Sequence, residues 1–450
     1  MIPIVLLLLA ALLVLPVSRW LTGDYFSPPA LVTAVWCGTL ALCLLYWIPY
    51  VVLQPATLTL IGQTVALLAG ASAVAAWAMA CVTRARPNVD GVNGDRADIT
   101  PTLPGARWWV LFYSVLAIAG FAWYVHGVVT HLGWDAFTQA HRLRVALSTY
   151  EIPSRFLFLQ YFCLAAPLFA FALWLTGARV GWPLLTLAGL AGLTTLGTTD
   201  RTQFFTLALT VFFMDFFRRG PRVTVTRFVS LCIVCPLILV LNFVAVSMWR
   251  TVRMDVPIST PAWRTATSPA VGRAVDQFAL FYFYATSSYP ALDVLLRQPR
   301  ANTGGLHTFH PIARFLQRAR IVQTSLPPYI APFLPVTRDG VEPPLVTNVY
   351  TFLYYPLEDF DVAGTLTYSG AIGVICGVVY GLGRGRRDSA AYVLAIGHLS
   401  TALTLSVFVN KFNNTGWWYV LVLTLAPFAL AAGTRVVVRR RTSGNDAYAR

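Results

Sequence analysis

Charge is scarce in this sequence: 11% of its 450 residues are charged, against about 25% in a soluble globular protein. That deficit excludes a water-facing surface over most of the chain. Lysine is nearly missing, with Lys411 alone, so an arginine is not by itself a sign of a bidentate anion site. The seven cysteines (Cys37, Cys43, Cys81, Cys163, Cys232, Cys235 and Cys376) all fall in apolar stretches. None lies in the long connection over 249–345, which excludes a disulfide framework there. Cys232-Ile-Val-Cys235 matches C-x-x-C in spacing only and reads as small packing residues of an apolar helix. No Lys or Arg precedes the first apolar run and Arg19 follows it, so a retained, reversed anchor is expected rather than a cleaved signal.

What is present is apolar. Hydrophobic residues make up 57% and mean hydropathy is +0.64. Runs near the roughly 17 to 25 residues needed to cross a bilayer predict spans at 2–18, 30–47, 56–82, 108–129, 156–176, 180–199, 202–217, 228–248, 362–382, 390–409 and 417–433. The expected fold class is all-α, a polytopic transmembrane bundle of about 11 spans. The stretch 180–217 is nearly continuous and is broken by Thr198-Thr199-Asp200-Arg201. Two charges at mid-bilayer would be costly, so the break belongs at a membrane surface, in a tight helical hairpin.

Short connections rich in Lys and Arg stay cytoplasmic. Alternate connections carry Arg19; Arg84, Arg86, Arg96 and Arg107; Arg179; Arg218, Arg219, Arg222 and Arg227; Arg384, Arg386 and Arg387; and, at the end, Arg435, Arg439, Arg440, Arg441 and Arg450. All agree on one topology, N-terminus out and C-terminus in. The expected organisation is a bundle over 1–248, a large external loop with short helices over 249–361, further spans over 362–433, and a basic cytoplasmic tail over 434–450. The net charge of +15 is mostly this topological signal, so no nucleic-acid partner is expected.

On that topology the acidic groups gather outside: Asp135, Glu151, Asp200, Asp255, Asp276, Asp293, Asp339, Glu342, Glu358, Asp359 and Asp361. The spans hold little besides Asp215, His126 and His398, and His398 reads as a hydrogen-bonded packing residue. An ion-coupled transporter needs ionisable groups along its path, so chemistry at the outer surface fits better than transport. External arginine forks suit the oxygens of a lipid-linked diphosphate. Carboxylates or histidines beside them suit a general base, and Tyr and Trp suit sugar rings. The substrate class this suggests is a sugar on a lipid carrier, since nucleotide sugars are cytoplasmic.

Three stretches carry a family resemblance. Leu196-Gly197-Thr198-Thr199-Asp200-Arg201-Thr202-Gln203 resembles the helix break of bacterial O-antigen polymerases, the Wzy-type oligosaccharide repeat-unit polymerases. Gly305-Leu306-His307-Thr308-Phe309-His310-Pro311-Ile312-Ala313-Arg314-Phe315-Leu316 is similar to their T-F-x-P-I-x-R-like run. Thr347-Asn348-Val349-Tyr350-Thr351-Phe352-Leu353-Tyr354-Tyr355-Pro356-Leu357-Glu358-Asp359-Phe360 is similar to N-V-Y-T-x-L followed by Y-x-x-D-F-G. The departure is Asp361, where the family usually has Gly. By motif the resemblance covers about a quarter of the chain; elsewhere it rests on span count and the large loop.

The resemblance implies a GT-C-like, metal-independent and cofactor-free membrane glycosyltransferase of the inner membrane. It would join undecaprenyl-diphosphate-linked repeat units on the periplasmic face into O-antigen, capsule or exopolysaccharide, and it admits a chain-length regulator protein as a partner beside membrane lipid. Arg201 is the first choice for diphosphate contact, or else caps the hairpin with Asp200. Arg142, Arg144, Arg250 and Arg253 follow, with Arg142 and Arg144 alternatively binding lipid headgroups. Asp359 is the choice for general base, with Glu358 second and His307 and His310 in reserve; alternatively Asp359 caps the span beginning near 362. His307, Asn348 and Tyr350 complete the expected substrate contacts. Asp359-Phe360-Asp361 reads as D-x-D, too short a pattern to imply metal. Two other functions fit less well: an O-antigen ligase, which relies on a His motif that Leu306-His307-Thr308 only partly matches, and a lipid-linked oligosaccharide flippase, which needs a polar path through the spans.

Overall fold

The computed structural model describes residues 2–85, 103–137, 146, 157–196, 201–230, 279–300, 302–321, 333–340 and 344–448. These are mostly helical. In chain order the helices are α1 (Ile2–Thr22), α2 (Pro28–Cys43), α3 (Pro55–Ala85), α4 (Ala106–Leu132), α5 (Phe162–Leu175), α6 (Trp182–Leu193), α7 (Arg201–Arg219), α8 (Ser288–Leu296), α9 (His310–Arg318), α10 (Tyr354–Gly383), α11 (Ala390–Leu405) and α12 (Thr415–Tyr448). Two short strands, β1 (Leu334–Pro335) and β2 (Val346–Thr347), pair antiparallel. Among the described residues five helices are long and apolar enough to cross a membrane: α1, α4, α10, the Pro55–Thr83 part of α3 and the Thr415–Gly433 part of α12. With the charge deficit they mark a membrane protein. Helices α2, α6 and α11 are apolar but shorter.

Several expected boundaries move. Helix α6 tightens into a 3-10 turn over Thr194–Leu196 and a new helix starts at Arg201, on either side of the expected break, whose residues 197–200 lie outside the described ones. Helix α12 runs on through the stretch expected to be a tail, since Val-Val-Val-Arg-Arg-Arg contains no helix breaker. Most of the expected span 228–248 also lies outside the described residues. Helix α10 is two helical pieces joined across a break at Asp361: the expected span starts after the break, and a shorter piece precedes it from Tyr354, with Pro356 in its first turn, where a missing N–H costs nothing.

The chain divides into two compact units. The first holds Met1–Arg86, Arg219–Arg384 and Leu399–Thr415; the second holds Pro87–Arg218, Gly385–His398 and Gly416–Arg450. In the second, α4 packs on α5 and α6, and Tyr113 Oη donates to the Leu423 carbonyl of α12 at 2.6 Å. His398 is buried there as a packing residue, with Trp417 edge-on at 6.2 Å. It makes no hydrogen bond among the described residues, so the expected bond is absent.

The first unit is organised by α3 and α10. A Cβ on Gly373, Gly377 or Gly381 would come within 2.6, 2.3 and 2.7 Å of the carbonyl oxygens of Leu68, Ser72 and Ala76 respectively. Glycine every fourth residue therefore lets one backbone lie against the other, the small-residue route to close helix contact in lipid. Partner numbers rise together, so the two helices run parallel and their N-termini share one end. At that end a segment expected to be external loop folds into the bundle. Tyr289 Oη of α8 donates to the Trp36 carbonyl at 3.1 Å and shares a 2.7 Å hydrogen bond with Thr39 Oγ1. Tyr282 Oη donates to the Leu42 carbonyl at 2.6 Å. Asp293 accepts from Gln54 N–H at 2.8 Å and Thr57 Oγ1 at 2.5 Å and pairs with Arg297. The stretch 279–296 has Asp293 as its single charge, which is why it can enter apolar surroundings.

Gly377→Val should destabilise the protein by about 1–3 kcal/mol through overpacking against the Ser72 carbonyl. Its melting temperature in detergent should fall, while Gly370→Ala, with nothing within 4 Å of the added methyl, should melt as the parent does.

Candidate functional site

At the head of α10 a loop over 302–309 folds onto the helix. Asn-Thr-Gly-Gly at 302–305 is a turn sequence, and Asn302, Gly304 and Gly305 all take left-handed φ angles, 46°, 65° and 97°. At Gly305 a side chain would also meet the Phe360 ring at 2.9 Å, so the position needs glycine twice over. The turn brings Asn302 N–H to the Glu358 carbonyl at 2.9 Å. It also delivers three donors to Asp359, which is fully buried. Thr303 Oγ1 and the His307 N–H, at 3.3 Å, reach one oxygen; the Thr308 N–H reaches the other at 2.5 Å.

Capping of the following helix belongs to Asp361, not Asp359. Helix α10 is broken at Asp361, with φ 62° and ψ −169°, a glycine-type conformation that costs another residue on the order of 1–3 kcal/mol. Its carboxylate accepts from the Val362 N–H at 2.7 Å and pairs with Arg300, and its carbonyl accepts from Thr365 Oγ1 at 2.7 Å. The backbone thus makes the turn expected of glycine at this position, and aspartate occupies it by supplying the cap. The two carboxylates of Asp359-Phe360-Asp361 engage different partners, one the loop and one Arg300. Among the described residues no group of three His, Cys, Asp or Glu side chains is placed to hold a metal.

His307 is half-buried beside Tyr355, ring centroids 6.0 Å apart. Burial lowers its pKa below the ordinary 6.5, and the carboxylates of Asp359 and Glu358 oppose that shift. The imidazole is therefore neutral at pH 7. Buried His310 is pushed down further, to about 4, first by burial and then by Arg314 and His307. Glu358 is half-buried. Tyr350 stacks on Tyr354 at 4.3 Å, and burial raises its phenol pKa. The strand pair ends just ahead of it: Thr347 Oγ1 accepts from the Val349 N–H at 3.0 Å, leaving Asn348 half-buried in the turn. Trp36, Ser406 and Asn410 hold the next residues, through Phe352 N–H to the Ser406 carbonyl at 2.7 Å and Asn410 Nδ2 to the Phe352 carbonyl at 3.2 Å. Much of the Asn348–Leu353 motif is packing.

Asp359, Glu358, His307, Asn348 and Tyr350 all belong to the first unit, and hydrogen bonds or ring contacts connect the loop with the start of α10. Arg142, Arg144, Arg250, Arg253 and Asp200 lie outside the described residues, as does the side chain of Arg201 at the start of α7. Thr303 and Arg300 were not singled out in the sequence; the Asn-Thr-Gly-Gly turn signal at 302–305 is what could have pointed to them.

The chain matches no protein-family model, no curated protein and no solved structure.

Both oxygens of Asp359 are occupied by the loop, so its substitution should release the loop first. In Asp359→Asn one acceptor oxygen becomes a donor, and amide exchange at His307 and Thr308 should rise at least tenfold while the α3 and α10 amides stay protected. Unchanged exchange at Thr308 would remove the anchoring role. A pH effect follows from His310. Its folded pKa lies below the unfolded value, so its contribution is present above about pH 6.5 and lost as pH falls toward about 4. Proteolysis within 302–321 should accelerate over that interval, and His310→Gln should flatten the dependence.

Proposed function

We propose that the chain is a polytopic membrane glycosyltransferase that extends a glycan by joining lipid-diphosphate-linked oligosaccharide units, with its reacting face at the N-terminal end of α10. The observation that carries this reading is the loop–helix junction. There a neutral imidazole, a half-buried carboxylate and a tyrosine stack gather at the head of an apolar, membrane-length helix. That is the depth at which a lipid-linked diphosphate presents its sugar.

In the proposed reaction an acceptor hydroxyl attacks the donor anomeric carbon, the bond to the diphosphate breaks, and the hydroxyl proton passes to a base. His307 becomes the preferred base over Asp359, because its ring is half-exposed and neutral whereas the Asp359 oxygens are engaged. Asp359 then positions the loop that carries His307, and Glu358 remains the second candidate. The departing diphosphate needs cations, and Arg201, Arg142, Arg144, Arg250 and Arg253 keep the roles proposed for them.

The topology proposed with this reading has about 11 spans, N-terminus out and C-terminus in, within a bacterial inner membrane with the site periplasmic. Two observations support it. Helices α3 and α10 run parallel to each other, as two spans that both lead from outside to inside must. Arg384 at the end of α10 donates to the Thr22 carbonyl at the end of α1, so the end of α1 that carries Arg19 meets the end of α10 that carries Arg384, Arg386 and Arg387.

Purified protein in vesicles, given only lipid-diphosphate-linked repeat units, should form a ladder of longer glycans. His307→Gln should slow the ladder at least about 100-fold, the usual contribution of a general base, and in the parent the rate should be flat above about pH 6.5 and fall below it. Transfer only when a lipid A core acceptor is added would mean a ligase instead. Movement of lipid-linked sugar across the vesicle without a new glycosidic bond would mean a flippase.

A further inference from the structure

Helix α9 is amphipathic the wrong way round for a water-soluble setting. A surface helix normally buries its apolar face and shows its polar one. Here polar His310 is 4% exposed, whereas Ile312 is 57% and Phe315 68% exposed. At nine residues α9 is too short to cross a bilayer, so its outward apolar face is not that of a span. Its depth is fixed by Phe309, whose ring lies 6.1 Å from Phe360 at the α10 break and 6.4 Å from Tyr368. Tyr368 lies seven residues beyond Asp361, roughly 10 Å along the helix at 1.5 Å per residue. That places α9 level with the first turns of the apolar part of α10. Its own stretch of sequence is basic: between 302 and 321 it carries Arg314, Arg318 and Arg320 and no Asp or Glu.

We propose that α9 is an interfacial helix lying in the headgroup region of an anionic leaflet, with Ile312 and Phe315 in the acyl boundary and the arginines of its segment drawn to lipid phosphates. Apolar area and cationic charge act together in such binding. Anionic lipid would then hold down the far end of the loop whose near end is held by Asp359. This needs α10 to cross a membrane but not that the protein transfers sugars.

The test uses the full chain with its seven cysteines changed to alanine, at a melting temperature matching the parent. Nitroxides are placed singly through Phe315→Cys, Ile312→Cys and Gln317→Cys in vesicles of phosphatidylcholine with or without phosphatidylglycerol. Collision with oxygen relative to a water-soluble nickel chelate reads immersion. The ratio should be several-fold higher at 315 and 312 than at 317, and should rise further with phosphatidylglycerol. Equal nickel access at 315 and 317 would place the face in water and overturn the proposal. Exclusion of both reagents from 315 would mean cover by protein, a second copy or another segment, and would overturn it too. Immersion indifferent to phosphatidylglycerol would overturn the assignment to anionic lipid. Glycan synthesis is not read, so the outcome is independent of the enzymatic reading.

Discussion

Burying a carboxylate is tolerable only where donors replace the water it loses, and three buried acids of the first unit meet that condition with donors drawn from elsewhere in the chain. Asp24 accepts from Tyr380 Oη at 2.6 Å, across 356 residues. Asp293 accepts from Gln54 and Thr57, 239 and 236 residues away. Asp359 accepts from three groups between 303 and 308. Each acid is satisfied only when its partner segment is seated, so each makes a specific register cheaper than any slipped one. In a bundle whose helix faces are apolar almost throughout, hydrophobic burial cannot supply that choice by itself.

The same constraint shapes the candidate site. An acid that accepts three hydrogen bonds is well suited to hold a loop and poorly placed to receive a substrate proton. The titratable side chain that the loop leaves half-buried is His307, and burial favours its neutral form. Asp361 adds a second fixed point. Its cap and its pair with Arg300 tie the break in α10 to the residue just before the loop, so turn and helix are anchored on both sides of the imidazole.

The membrane class and the long helices were legible from apolar run length, and the stretches 305–316 and 347–360, singled out by their resemblance to family motifs, are the ones that meet at the head of α10. The entry of 279–296 into the bundle was hidden, because Asp293 resembles a loop residue until its donors at Gln54 and Thr57 are in place. In the sequence Asp359 reads as a general base or, alternatively, as the cap of the span near 362; the bond to the first N–H of that span comes from Asp361 instead, at a left-handed φ that only the folded backbone discloses. The anchoring of Asp359 could not be read either, since backbone N–H groups carry no sequence signature.

The glycine face of α10 has a consequence for biogenesis. Helix α3 leaves the ribosome roughly 300 residues ahead of its partner, and domains generally assemble as their parts emerge at about 5–20 residues per second. During that interval its surface along Leu68, Ser72 and Ala76 has lipid as its neighbour in place of a close backbone. The first unit therefore closes late, from segments far apart in the chain, and a fragment holding α1 to α3 alone lacks the surface that completes it.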